Sequence, residues 1–265
     1  MSAIQKRLND METYFDQKEF VVVDNGSGFI KAGFSGEDLP RCVIPTAVGR
    51  QEIEIDPALK AGNEHTEAKY DYSFGNDAFA KRGQHELFYP VERGVIEDME
   101  RMENLWHHIF ETELNLDPKN INVLLTDSPC NRKENKQMIA EILFNKFQVE
   151  SLTIMNTSVL SLFSTGKTSG LVVECGEGCS YSVPVFEGYA LPHAINKIDL
   201  AGKDITDQLT KKLLEMNIPQ HEIYFEYVRE MKQQMCQIAL DYDHALQARD
   251  PLNEEQRSYE LPDSK

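Results

Sequence analysis

Two carboxylates, Asp24 and Glu174, each close a β-branched apolar run and open a glycine turn. The first run reads Val21-Val22-Val23-Asp24-Asn25-Gly26-Ser27-Gly28, and the second Leu171-Val172-Val173-Glu174-Cys175-Gly176-Glu177-Gly178. In both, glycines follow the acid at two and four residues. Glycines at that spacing let a tight turn expose backbone N–H groups as a concavity for phosphate oxygens. An acid at a strand end can hold the hydrated divalent cation of a nucleotide phosphate. One such turn is a weak signal, but the matched pair predicts two related units closing on one nucleotide. Cys175 and Cys179 flank the second turn and could be half a metal site. No second pair follows, and their spacing belongs to the turn, so metal ligation is not expected.

The elements that must position these residues alternate between strand and helix. A strand from Phe20 enters the first turn, and residues 29–34 return as its hairpin partner. Residues 51–72 are acidic and aperiodic, which predicts a long loop or a small excursion from the main domain. After Asp98, residues Met99, Met102, Leu105, Trp106, Ile109, Phe110 and Leu114 form one helical stripe. His107 and His108 lie within it as ordinary helix residues. A strand over 121–126 precedes a helix over 131–147, with Met138, Ile142, Leu143 and Phe147 inward. A strand over 152–155 leads to a helix over 158–164. The second hairpin pairs 170–174 with 180–186, and helices over 204–216 and 222–240 follow. A polar tail covers 250–265. The alternation predicts an α/β sheet with helices on its faces. Residues 1–18 are polar, with Ile4, Leu8, Met11 and Phe15 near helical spacing. They read as a frayed leader or surface helix, or as an amphipathic arm for a partner.

The chain has 265 residues, 41% of them apolar, enough for one large core or two moderate ones. Its 44 acids against 27 bases give a formal charge of −17. That charge disfavours direct binding to nucleic acid or anionic membranes and favours basic protein partners. The five scattered cysteines suit reduced intracellular thiols. With no secretory leader or membrane-length apolar run, a cytosolic or nuclear location is expected.

The residues resemble the actin family. Asp24-Asn25-Gly26-Ser27-Gly28 with Lys31-Ala32-Gly33-Phe34-Ser35-Gly36 is similar to the family's first phosphate segment. The likeness continues through Lys81-Arg82-Gly83, Trp106-His107-His108, Leu124-Leu125-Thr126 and Val159-Leu160-Ser161-Leu162. It extends through Glu187-Gly188-Tyr189-Ala190-Leu191-Pro192-His193 and Asp199-Leu200-Ala201-Gly202 to Tyr259-Glu260-Leu261-Pro262-Asp263. The resemblance implies the two-lobed nucleotide-binding fold shared by actin, Hsp70 and hexokinase, incomplete at the C-terminal end. It implies a first lobe over 20–155 after an N-terminal extension (1–19), and a partial second lobe over 156–265. The cofactor it implies is ATP or ADP with Mg²⁺ or Ca²⁺. Gly26, Ser27, Gly28, Phe29 and Lys31 are similar to phosphate contacts, with Gly176, Glu177 and Gly178 as the opposing clamp. Arg229 and Lys232 fall where a helix meets the adenosine, and Asp24 and Glu174 where acids hold the metal through water.

The departures from the pattern fall on the chemistry. The family's water-placing glutamine is Thr157, too short to set a water in line with the terminal phosphate, though able to cap a helix. The second-turn aspartate is Glu174, and a nearby histidine is Tyr181, no proton acceptor near neutral pH. The ribose-binding acid is Gln233. Together these argue against efficient hydrolysis. The acidic 51–72 segment is also unlike the loop that plugs into a neighbouring actin subunit.

Three functions remain open at this point. The first is a structural subunit of a cytoskeletal or motor-associated assembly, with other complex subunits, actin or actin-related proteins as partners. The second is a filament-forming ATPase of which this is a fragment. The third is a nuclear subunit of a chromatin-remodelling complex.

Overall fold

The computed structural model describes residues 20–53, 69–219, 223–247 and 258–261. The possible N-terminal arm and most of the polar tail lie outside these residues. Two compact units divide at Asp199 and Leu200.

The first unit is built on a five-stranded mixed sheet. β1 (Phe20–Asn25) pairs antiparallel with β2 (Phe29–Phe34), and β2 with β3 (Cys42–Pro45). β4 (Val48–Ile53), β5 (Lys69–Phe74) and β6 (Glu86–Phe88) make a separate three-stranded sheet. β7 (Val91–Glu92) and β8 (Val95–Ile96) form a short ribbon. β9 (Asn122–Asp127) runs parallel to β1, and β10 (Ser151–Asn156) parallel to β9. The order β10-β9-β1-β2-β3 leaves β1 central. Alternation along β1 therefore buries Val21 and Val23 against the core while Asp24 faces the other way.

Helices α1 (Gly75–Ala80), α2 (Met99–His107), α3 (Lys133–Asn145) and α4 (Thr157–Phe163) complete this part. Asp98 caps α2 by accepting the Arg101 amide at 3.0 Å. Met102, Leu105, Trp106, Ile109 and Phe110 are fully buried along its stripe. The α-helix ends at His107, however, and residues His108–Glu113 continue as a π-helical turn. The wider turn is closed by the Leu114 amide donating to the Ile109 carbonyl at 2.9 Å, and Leu114 is buried at its end.

Three further expectations are corrected. The inward face of α3 is set by Asn135, Ile139 and Leu143, and Met138 is exposed. The reason is a buried hydrogen bond, Asn135 Nδ2 donating to the Ile96 carbonyl at 2.6 Å, which fixes the rotation of the helix. The ends of the 51–72 segment are strands rather than loop, since Gln51–Ile53 pairs with Lys69–Asp71. Arg50 lies over the Tyr70 ring at 4.6 Å, and Tyr72 stacks on Phe74, contacts that polar composition does not advertise. Residues 54–68 lie outside the described part. Finally, the helix foreseen over 222–240 spans only Phe225–Met235. Cys236 turns to extended backbone, and Ile238 and Leu240 beyond it are exposed, with no packing face to sustain another turn.

The second sheet of this unit repeats the hairpin theme. β11 (Gly170–Cys175) pairs antiparallel with β12 (Ser180–Phe186). β12 also pairs with β13 (Tyr189–Ala190) and β14 (Asn196–Ile198). Val159 and Leu162 of α4 pack with Val172, Tyr181, Val183 and Val185 in a small core.

The second unit contains α5 (Gly202–Glu215), α6 (Phe225–Met235) and α7 (Tyr242–Gln247). Asp204 accepts the Ala201 amide at 2.9 Å at the start of α5, and Val228 is buried on α6. Among the described residues no helix is long and apolar enough to cross a membrane.

Candidate functional site

Each hairpin delivers its glycine turn to the same place. A cleft of about 470 Å³ in the first unit is lined by Asp24, Asn25, Gly26, Ser27, Gly28, Phe29 and Lys31 from one side. Glu174, Cys175, Gly176, Glu177 and Gly178 line it from the other, with Thr126, Asp127, Asn131, Thr157 and Tyr181 between. The volume is in the range of small-molecule sites.

The two turns touch. A Cβ placed on Gly28 would lie 2.9 Å from Glu177 Cβ, and one on Gly178 would lie 2.5 Å from Ser27 Oγ. Only glycine permits that approach. Arg93 and Gly94 lock the contact from outside. Arg93 Nη1 donates to the Gly178 carbonyl at 2.9 Å, and the Gly94 amide donates to Ser27 Oγ at 2.9 Å. Arg93 itself sits at φ 49°, a costly conformation for a side-chain-bearing residue.

Asp24 and Lys31 face each other across β1 and β2, with Lys31 Nζ 2.8 Å from Asp24 Oδ2. Thr126, at the end of β9, donates its hydroxyl to Asp24 Oδ1 at 2.7 Å. This leaves each carboxylate oxygen with lone-pair capacity toward the cleft. Sequence reading missed Thr126 as a site residue. Its signal was a hydroxyl at the end of the apolar run that becomes the strand parallel to β1.

Glu174 is held differently. Ser158 Oγ and Thr157 Oγ1 donate to its Oε2 at 2.6 and 3.1 Å, and Ser161 Oγ to its Oε1 at 2.8 Å. All three hydroxyls belong to α4. The longer carboxylate therefore anchors this helix to β11. Asn156 caps α4, its Oδ1 accepting the Ser158 amide at 2.9 Å. Thr157 is the first helical residue, so the capping role foreseen for it falls one residue earlier.

Tyr181 hydrogen-bonds Ser128 Oγ at 2.6 Å, and burial pushes its phenol well above the ordinary range. Cys179 beside it is raised by burial as well, and its Sγ donates to the Arg93 carbonyl at 3.3 Å. Neither group can take a proton from water near neutral pH. Asp127 is neutralised by Lys136 Nζ at 2.6 Å and accepts Asn131 Nδ2 at 2.7 Å. Arg229 and Lys232 lie on α6 of the second unit, where Lys232 Nζ donates to the Gly202 carbonyl at 2.7 Å.

What could the cleft hold? Among the described residues, no acceptor is set against the amides of Ser27, Gly28, Glu177 or Gly178. Buried Asn25 Nδ2, Asn131 Oδ1 and Glu177 Oε1, all of residues lining the cleft, also lack partners. Unused donors on both turns, with Lys31 at one wall, fit phosphate oxygens. The lining carries four acids (Asp24, Asp127, Glu174, Glu177) against one lysine, so an anion needs an accompanying cation. Among the described residues no three His, Cys, Asp or Glu side chains converge as a metal cage. A cation here would be carried by the ligand's own oxygens and water, within reach of Asp24.

A mixed sheet and a second, hairpin-based sheet presenting paired glycine turns to one cleft define an α/β protein of actin-like fold. The family model described as Actin matches residues 15–227. The chain belongs to the actin family.

Proposed function

We propose that this chain is an actin-family structural subunit that retains a metal–nucleotide and turns it over poorly. The carrying observation is the hydrogen bond of Thr157 to Glu174. At the position where the family resemblance implies a water-placing side chain, a short hydroxyl faces a carboxylate. The proton-accepting position alongside is a buried tyrosine committed to Ser128. ATP or ADP with Mg²⁺ or Ca²⁺ is the ligand these turns suit, with Asp24 nearest the cation. Nucleotide then serves as a stabilising cofactor, since a ligand that binds only the folded form raises its stability.

The proposed setting is a cytoskeletal or motor-associated assembly in the cytoplasm, where other subunits supply contacts. The decisive experiment loads the purified chain with Mg-ATP and follows nucleotide retention and phosphate release together. Retention without release supports the reading, and brisk metal-dependent release rejects it. The filament-forming alternative draws on the Asp24–Lys31 pair, and salt-induced sedimentation coupled to phosphate release would favour it. Localisation of the tagged protein to the nucleus would favour a chromatin-remodelling role.

A further inference from the structure

The first glycine turn is held from behind by a residue outside both turn motifs. Thr46 sits in the two-residue link between β3 and β4 and is 1% exposed. Its hydroxyl donates to the Gly26 carbonyl at 2.7 Å, and its amide donates to the Gly28 carbonyl at 3.1 Å. One buried residue thus takes the carbonyls of both glycines in the turn. Gly26, Ser27 and Gly28 line the cleft, and Thr46 is not among the lining residues.

Those two bonds decide where the turn's own donors face. Across a trans peptide the N–H points opposite to the preceding C=O, and every peptide among the described residues is trans. Drawing the Gly26 carbonyl toward Thr46 therefore turns the Ser27 N–H to the other side, toward the cleft. A Cβ on Gly26 would lie 2.5 Å from the Phe29 carbonyl oxygen, so glycine is required there. Glycine has no side chain to oppose rotation of the peptide that follows it, which leaves the Thr46 hydroxyl to set that peptide's direction.

Thr46 can hold the turn because its own surroundings are pinned. The Ala47 amide donates to the Pro45 carbonyl at 2.8 Å, and the Ala47 carbonyl accepts the Gly75 amide at 3.0 Å. Pro45 lies opposite Phe29 in the β2–β3 pairing, which ties the link to the strand leaving the turn. The second turn has a counterpart in Arg93, whose Nη1 holds the Gly178 carbonyl. In each turn the carbonyl of the second glycine is thus taken by a residue that does not line the cleft.

We infer that Thr46 is a positioning residue for phosphate binding: it draws the Gly26 and Gly28 carbonyls away from the cleft and so presents the first turn's amides to an anion. A carbonyl turned the other way would add a partial negative charge to a cradle whose lining acids already repel an anion. The inference rests on the nucleotide reading above and names the group that orients the first of its two cradles.

The test compares Thr46→Val, which keeps the shape and removes the hydroxyl, with Thr46→Ser, which keeps the hydroxyl. Retention of Mg-ATP is measured on the full chain by filter binding, and amide hydrogen exchange is followed with and without it. Thr46→Val should lower retention about tenfold, and Thr46→Ser should stay within about twofold of the parent. Saturating Mg-ATP should slow exchange of the Ser27 and Gly28 amides about tenfold or more in the parent and in Thr46→Ser, and not in Thr46→Val. Where the valine variant does not fold, Thr46→Ala repeats the comparison. Equal retention by parent and Thr46→Val overturns the inference, as does a loss that Thr46→Ser shares. Amides of Ser27 and Gly28 left unchanged by bound Mg-ATP in the parent also overturn it, while the nucleotide reading stands. A parent chain that retains no Mg-ATP rejects that reading itself, and the inference with it.

Discussion

Thr157 Oγ1 lies 3.1 Å from Glu174 Oε2, so two positions on which the family resemblance places hydrolytic chemistry are hydrogen-bonded to each other. With Ser158 and Ser161 donating to the same carboxylate, Glu174 ties α4 to β11 from inside the cleft. A carboxylate shared among three hydroxyls contributes to rigidity, and its remaining capacity toward a hydrated cation is small.

Replacing Glu174 with alanine leaves three hydroxyls on α4 without their acceptor. Stability should fall by about 1–3 kcal/mol in denaturant melts. The conservative Glu174→Gln keeps an acceptor oxygen and should recover part of the loss, while metal-dependent nucleotide retention stays within about twofold. A large loss of retention with unchanged stability would instead assign Glu174 to the cation.

Gly178→Ala forces a methyl to within 2.5 Å of Ser27 Oγ and 3.0 Å of the Arg93 backbone. Ser27 can rotate, but the Arg93 atom is backbone Cα, in a residue held at φ 49° whose carbonyl accepts Cys179 Sγ at 3.3 Å. The two turns should separate, with nucleotide retention falling about tenfold and stability by about 1–3 kcal/mol. Gly83→Ala, with open space around it, is the matched control and should change neither.

Asp24→Ala removes the partner of both Lys31 and Thr126. Retention of nucleotide in Mg²⁺ should drop to the level seen with chelator, because the cleft's remaining acids repel a bare polyphosphate. Equal retention by the variant and the parent, measured by filter binding, would remove Asp24 from the cation's surroundings.

Thiol chemistry should divide the cysteines. Cys130, Cys175 and Cys236 are exposed and should react with a thiol reagent at pH 8, whereas buried Cys42 and Cys179 should react only on unfolding. Burial, then the negative charge of Glu113, pushes Cys42 up from 9.0 to about 12. Between those values the unfolded chain gives up a proton that the folded chain keeps. The stability contributed by the neutral thiol is thus complete below pH 9 and is lost as pH rises toward about 12. Cys42→Ser should flatten the alkaline limb of the stability profile, and an unchanged limb would assign it to other groups.

Much of the first unit was legible because its signals are local. β-branched runs ending in an acid and glycines mark β1 and β11, and the stripe from Met102 to Phe110 marks α2. Where reading failed, the deciding contact came from elsewhere in the fold. Periodicity points Met138 inward, yet α3 turns Asn135 inward to donate to the Ile96 carbonyl and leaves Met138 exposed. Gln51–Ile53 lacks strand composition, and only pairing with Lys69–Asp71 makes it a strand.

By itself the sequence determined the paired turns, the α/β alternation and the substitutions Thr157, Glu174 and Tyr181, because residue type and spacing are local properties of the chain. The tertiary structure alone decided that Gly28 rests against Glu177 and that Glu174 is spent on the hydroxyls of α4. Each of those depends on which segment packs beside a given residue, and packing partners far apart in sequence leave no mark on the residues themselves.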